Sequence, residues 1–219
     1  MQFLRPFALA LLASVACVDA FVNLPVGPIN MSVAVPVASV PSSLLQADGT
    51  VRTVACSDAS PCPATGTELV TLRCVSSVCR LAPFPLGVTT PDIDLTTYDT
   101  YRSYADGLTA VRIAAVSLQL TGARPNNTLG PVEFYWSGAT PTPEYRLGTI
   151  PATALTAGSA TIPVVVDNAG TDALVAAILG GAVRFRVRIA GTLEVGGGAL
   201  PDPQLGLNLN LLLHLEGSL

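Results

Sequence analysis

The sequence predicts an all-β protein: an antiparallel β-sandwich of about seven or eight strands, with one or two short helices and a small disulfide-stapled excursion. Three observations carry that reading. The first is a pair of strict apolar/polar alternations, Val183 to Val195 and Leu205 to Glu216, separated by GGGALPDPQ. The second is a series of short apolar runs divided by Pro, Gly and Thr turns, and the third is a compact cluster of four cysteines.

In the first alternation Val183, Phe185, Val187, Ile189, Leu193 and Val195 share one parity, and Arg184, Arg186, Arg188, Thr192 and Glu194 hold the other. Period two is a half-buried strand. The second sets Leu205, Leu207, Leu209, Leu211, Leu213 and Leu215 against Asn208, Asn210, His214 and Glu216, with Leu212 as the one violation. Large side chains contribute about 1.5–3 kcal/mol each when fully buried, so this face demands a covering layer. The expected arrangement is one antiparallel pair joined across Gly196 to Pro203, with the rest of the chain supplying the opposing sheet.

Composition narrows the function. Half of the 219 residues are apolar and 12% are charged, a poor surface for a cytosolic protein. All eleven basic residues are arginine, which excludes Schiff-base catalysis, a phosphate-loop lysine and a kinase-type lysine. A formal charge of −4 argues against a nucleic-acid partner, which needs clustered positive charge. The basic cluster that does stand out is the stripe Arg184, Arg186 and Arg188, a candidate contact for an anionic surface.

The N-terminus has the layout of a secretory signal over residues 1–16: Arg5, an apolar core from Phe7 to Val15, then small residues before Cys17. The core is too short to span a bilayer. LLASVAC is similar to the lipobox of bacterial lipoproteins, which implies that Cys17 is the lipidated first residue of the mature chain. Cleavage after Ala16 or Ala20 without a lipid is the alternative. Residues 17–28, rich in Pro and Gly, read as a tether, and 29–219 as the sandwich domain. Within it, 50–82 forms a four-cysteine module that is inserted or flanking.

The remaining cysteines, Cys56, Cys62, Cys74 and Cys79, follow a C-x5-C-x11-C-x4-C pattern. Zinc pairs usually stand closer together, and an exported chain meets an oxidising compartment, so two disulfides are expected and no metal. Spacing leaves three connectivities open. The preferred one is crossed, Cys56 with Cys74 and Cys62 with Cys79, because it staples the whole excursion. Pairing these four leaves Cys17 for the lipid.

In order along the chain, MSVAVPVASV reads as a strand placed at an edge by Pro36. TVRTVAC and ELVTLRCV are the strands of the cysteine module, and LAPFPLGVTTPDID, with its prolines, is a connector. DLTTYDTYRSYAD is a helix capped by Thr96 or Thr97, with Tyr98, Tyr101 and Tyr104 on one side. Those rings could form a carbohydrate platform, but packing against a sheet edge is preferred. Leu108 to Leu120 is a long strand whose apolar parity switches at Ala114 and Ala115, the mark of a bulge. PVEFYWSG, YRLGTI and ATIPVVVD are three further strands. TDALVAAILGG is a helix capped by Thr171 or Asp172, with Leu174, Val175, Ile178 and Leu179 buried.

Catalytic constellations fail by elimination. The single histidine, His214, lies on the polar face of a strand, and no G-x-S-x-G elbow precedes it. Asp92, Asp94, Asp99 and Asp106 lie close in sequence, but at a strand-to-helix junction where aspartates cap and turn the chain. They lack EF-hand spacing for calcium. Gly196 to Gly198 precedes no helix, so it forms no phosphate loop. The chain therefore reads as a non-enzyme with no cofactor.

The succession of a Cys17 tether, a cluster ending CVSSVC, YDTYRSYADGLTAVRIAAVSLQL, LGPVEFYWSG, LGTIP and FRVRIAGTLEV resembles uncharacterised secreted lipoproteins of myxobacterial type. IPVVVDNAGTDALVAAILGGAVRFRVRIAGTLEV is similar to the water-stress and late-embryogenesis β-sandwich domain. The first likeness implies attachment to a membrane by a lipid anchor, extracytoplasmic and on the outer membrane, with a secreted or periplasmic protein as the alternative. It implies no activity. Two functional classes follow. One is a structural or interaction lipoprotein meeting a cell-envelope protein or polysaccharide, and the other a carrier that holds an apolar ligand between its two sheets.

Overall fold

The computed structural model describes residues 20–65, 70–196 and 198–217; the candidate signal and Cys17 lie outside them. The strands are β1 (Ala20–Ala34), β2 (Leu72–Val75), β3 (Val78–Leu81), β4 (Phe84–Thr89), β5 (Ile93–Asp94), β6 (Leu108–Thr121) and β7 (Thr128–Leu129). There follow β8 (Val132–Ser137), β9 (Tyr145–Ile150), β10 (Thr153–Ala154), β11 (Ser159–Pro163), β12 (Val165–Val166), β13 (Arg184–Glu194) and β14 (Gln204–Gly217). The helices are α1 (Asp99–Tyr104) and α2 (Asn168–Leu179). The chain is thus an all-β sandwich with short helices. Its first sheet has four strands in the order β1-β14-β6-β11. The second has eight, β10-β7-β13-β8-β9-β12, with β4 and β5 on the other flank of β13, and β2 and β3 form a separate hairpin.

The two C-terminal alternations are not a hairpin. β13 pairs with β4 and β8, whereas β14 pairs with β1 and β6 in the other sheet. The loop between them is pinned elsewhere: Thr50 bridges Ala199, the Val51 N–H donates to the Gly198 carbonyl, and the Asp202 N–H donates to the Gly122 carbonyl. The chain therefore crosses from one sheet to the other. Both apolar faces still point inward. Phe185, Val187, Ile189 and Leu193 of β13 and the odd-numbered leucines 205 to 215 of β14 are all buried in one core. Leu212, the exception in the alternation, sits half-buried on the outer face opposite Pro25 and Ala115.

β1 corrects the tether. From Ala20 onward the residues read as aperiodic pair with β14, Ala20 opposite Gly217 and Ala34 opposite Gln204. Leu24 and Val26 point inward, then Val33, and the register shifts between Val26 and Ile29. Gly27, at φ +122°, allows that shift, since a Cβ there would stand 2.7 Å from the Leu209 carbonyl oxygen. β1 is an edge strand, which accommodates Pro25 and Pro28. The strand expected over MSVAVPVASV stops at Ala34, before Pro36.

β6 carries the bulge its parity switch requires. Ala115 faces Leu212 and Ile113 faces Leu213, so Ala114 is the extra residue, and Val111 and Val116 both reach the core. The expected connector from Leu81 to Asp94 is also strand, because Phe84 to Thr89 pairs with Leu193 to Arg188 and Ile93 pairs with Phe185. Pro85 is tolerated because β4 has a neighbour on one side only. The ATIPVVVD strand splits: β11 pairs with β6, buried Val164 turns the chain inward, and β12 pairs with β9 in the second sheet.

α2 packs across β9 and β6 on that same side of the sandwich. Its cap is Asp167, not Thr171 or Asp172: the carboxylate accepts the N–H groups of Ala169 and Gly170 at 3.1 and 3.3 Å. Leu174 and Ile178 are buried as expected, while Leu179 is exposed because the helix ends there at Gly180. The first expected helix is shorter than its pattern. A 3-10 turn over Leu95–Thr97 precedes α1, and Asp94, rather than a threonine, caps that turn by accepting the Thr96 N–H. Tyr101 and Tyr104 are buried and Tyr98 half-buried.

The cysteine module contains Cys56–Cys74 and Cys62–Cys79. Its first expected strand, TVRTVAC, contributes isolated bridges, Val51 to Leu45 and Ala55 to Val78, rather than a ladder. The second begins at Leu72 and turns through Ser76 and Ser77, at φ 51° and 61°, into β3. Val70 joins the main core, while none of the four cysteines does.

Candidate functional site

The predicted arginine stripe lies on the outer face of the second sheet, because alternate residues of β13 point away from the core. Each arginine is engaged. Arg184 Nε meets Asp94 Oδ2 at 2.7 Å, Arg186 Nε meets Asp92 Oδ1, and Arg188 holds both oxygens of Glu144 at 2.6–3.1 Å. The shielding acids are therefore Asp92, Asp94 and Glu144. β5 and the turn before it bring the two aspartates alongside β13; cross-strand pairing of β5 with Arg184 and Phe185 fixes their height. Arg188 also lies 4.5 Å above the ring of Tyr135, whose hydroxyl donates to Glu133.

The electrostatics follow from these contacts. Asp92 is held below the usual carboxylate range chiefly by Arg186, and Glu144 chiefly by Arg188. Asp94 is lowered first by the Thr96 hydroxyl and then by Arg184. Such carboxylates are poor proton donors near neutrality. Tyr135 is raised, mainly because its hydroxyl serves Glu133. Of the other aspartates in that candidate cluster, Asp99 pairs with Arg102 on α1. Asp92, Asp94 and Asp99 are thus divided among separate arginines and a cap.

His214 stands on the outer face of the first sheet, between Asn23 of β1 and Arg112 of β6. Farther along the same face, Thr161, Gln119, Asn208 and Asn30 align across all four strands. The sulfur atoms of Cys56, Cys62 and Cys79 lie within metal-ligand reach of one another, but each belongs to a disulfide. A disulfide sulfur is not the thiolate that a metal requires.

A second region was not singled out by sequence. Two adjoining pockets open where the cysteine module meets the end of β13, with volumes of about 280 and 360 Å³, a size suited to small ligands. They share Arg80, Leu81 and Val195, and Arg52 lines one while Arg73 and Glu194 line the other. The apolar interior, where a carried ligand would lie, is bounded by leucines of β14 that are at most 2% exposed, and none of them lines these pockets. The signal available in the sequence was Arg73 and Arg80 flanking the CVSSVC turn.

No family model, curated protein or solved structure matches the chain.

Proposed function

We propose that the protein is an extracytoplasmic lipoprotein of the outer membrane, anchored through Cys17, with a structural or surface-interaction role and no catalytic activity. The observation that carries this reading is the cysteine arithmetic. Of five cysteines, four are consumed by Cys56–Cys74 and Cys62–Cys79, and Cys17 alone remains. Two bridges in a short module fit an oxidising compartment, and a chain exported there with one further cysteine at the end of an apolar leader is fitted for acylation.

The non-catalytic part rests on chemistry. The clustered acids of the second sheet are ion-paired and lowered, and the single histidine sits in a row with Asn23 and Arg112. What the sandwich offers a cell-envelope partner is a stiff face whose charges are already balanced. Membrane fractionation tests the anchor: the wild type is expected in the detergent-soluble membrane fraction with an acylated N-terminal peptide by mass spectrometry. Cys17→Ser is expected in the aqueous fraction, and equal membrane association of both forms overturns the reading.

A further inference from the structure

We infer that the groove between the cysteine module and β13 is a binding site for a phosphate-monoester dianion, held by Arg73, Arg80 and Arg52. Three observations meet there. Arg73 and Arg80 are direct cross-strand partners in the β2–β3 hairpin, both exposed. Like charges so placed repel, and an anion between them would relieve that repulsion. Next, Arg102, Arg124, Arg146, Arg184, Arg186 and Arg188 each hold a carboxylate, whereas Arg52, Arg73, Arg80 and Arg112 make no ion pair among the described residues, and the first three of these line the groove. Finally, the backbone at the two arginines is fixed by covalent bonds: Arg73 precedes Cys74 and Arg80 follows Cys79, and those cysteines are bridged to Cys56 and Cys62. A backbone held this way needs little reordering on binding.

Charge selects the ligand. Three guanidinium groups and the carboxylate of Glu194 line the two lobes, leaving two positive charges uncompensated among the described residues. A phosphate monoester carries about −1.5 to −2 near neutrality, with its second pKa near 6; a sulfate ester or a carboxylate supplies only one charge. Arginine forks match phosphate oxygens in pairs. Leu81 and Val195, half-buried and common to both lobes, give the carrier of that phosphate an apolar floor. The site is independent of whether Cys17 carries lipid.

The test uses the disulfide-intact protein lacking the leader. Calorimetric titration with glucose 6-phosphate and with glucose 6-sulfate is expected to show binding of the phosphate at least about tenfold tighter, rising from pH 5 to pH 7. The variant Arg73→Gln/Arg80→Gln is expected to lose that binding while melting no lower than wild type, because it removes a repulsion. Arg186→Gln is the control and is expected to bind as wild type. Vesicles containing phosphatidic acid, compared with phosphatidylglycerol, separate a lipid monoester from a soluble one: selective binding to phosphatidic acid assigns the membrane as the source, and sugar phosphate alone assigns a soluble ligand. Equal affinity for sulfate and phosphate, unchanged binding in the double variant, or no binding to sugar phosphate and phosphatidic acid alike overturns the proposal.

Discussion

The indole Nε1–H of Trp136 donates to the backbone carbonyl of Gly170 at 2.8 Å, tying the middle of the second sheet to the first turn of α2. The helix approaches so closely that a Cβ on Gly170 would stand 1.7 Å from the Arg146 carbonyl oxygen. Gly170→Ala is therefore expected to destabilise the protein by at least about 2 kcal/mol, despite alanine's better helix propensity. Denaturant titration followed by Trp136 fluorescence measures it; a midpoint equal to wild type would show that the helix does not need this approach.

Val187 is fully buried on β13 between Trp136 and the start of the β4–β5 connection, where its N–H donates to the Thr90 hydroxyl oxygen. Val187→Asp puts an unpaired charge in a dry core, a cost expected to exceed about 4 kcal/mol. Arg186→Asp, one residue away and facing water, is expected to keep a cooperative thermal transition. Circular dichroism melts of the two variants check the inside/outside assignment, which fails if they unfold alike.

Acid should loosen the outer face. Asp92, Asp94, Glu144 and Asp167 all have folded-state pKa values below their ordinary ones. Groups lowered in this way stabilise the fold above the unfolded carboxylate range, near pH 4, and that contribution disappears as pH falls through the folded values. The melting temperature is expected to fall below about pH 4. A protein with Asp92, Asp94 and Glu144 replaced by Asn, Asn and Gln should show a shallower decline, and an identical acid profile would remove these pairs from the account.

Reduction should act locally. The bridges close loops of 18 and 17 residues in sequence separation, worth about 3 kcal/mol each in the chain-entropy model, yet the main core contains no cysteine. Mild reductant is expected to increase proteolysis between residues 50 and 82 while leaving the Trp136 emission maximum in place. A red shift of that emission on reduction would show that the module supports the core.

Much of the architecture was legible where burial is one-sided. The parity switch at Ala114 announced its bulge, and the inward side chains of β13 and β14 were all identified. Their placement in different sheets was not legible, because an alternation states which face is apolar and not which strand lies alongside. β1 carries the same kind of switch, Leu24 and Val26 before Gly27-Pro28 and Ile29, Met31 and Val33 after it, but the prolines concealed it. Pro85 hid β4 in the same way, since proline rules out central strands while allowing edges. The partners of the arginine stripe could not be read because Asp92, Asp94 and Glu144 reach β13 from three-dimensional neighbours about 40 to 90 positions away. Arg73 and Arg80 were visible as letters, but that neither makes an ion pair among the described residues is a property of the fold alone.

The pairing of β1 with β14 also sets the order in which the protein can be completed. β14 is an inner strand, between β1 and β6, yet among the described residues it comes last in chain order. Until residues 204–217 emerge, β1 has no neighbour along its length and β6 lacks its main one. A topology whose central contacts join distant parts of the chain closes slowly. The nascent polypeptide thus emerges with its first sheet unassembled and closes it only when residues 204–217 arrive.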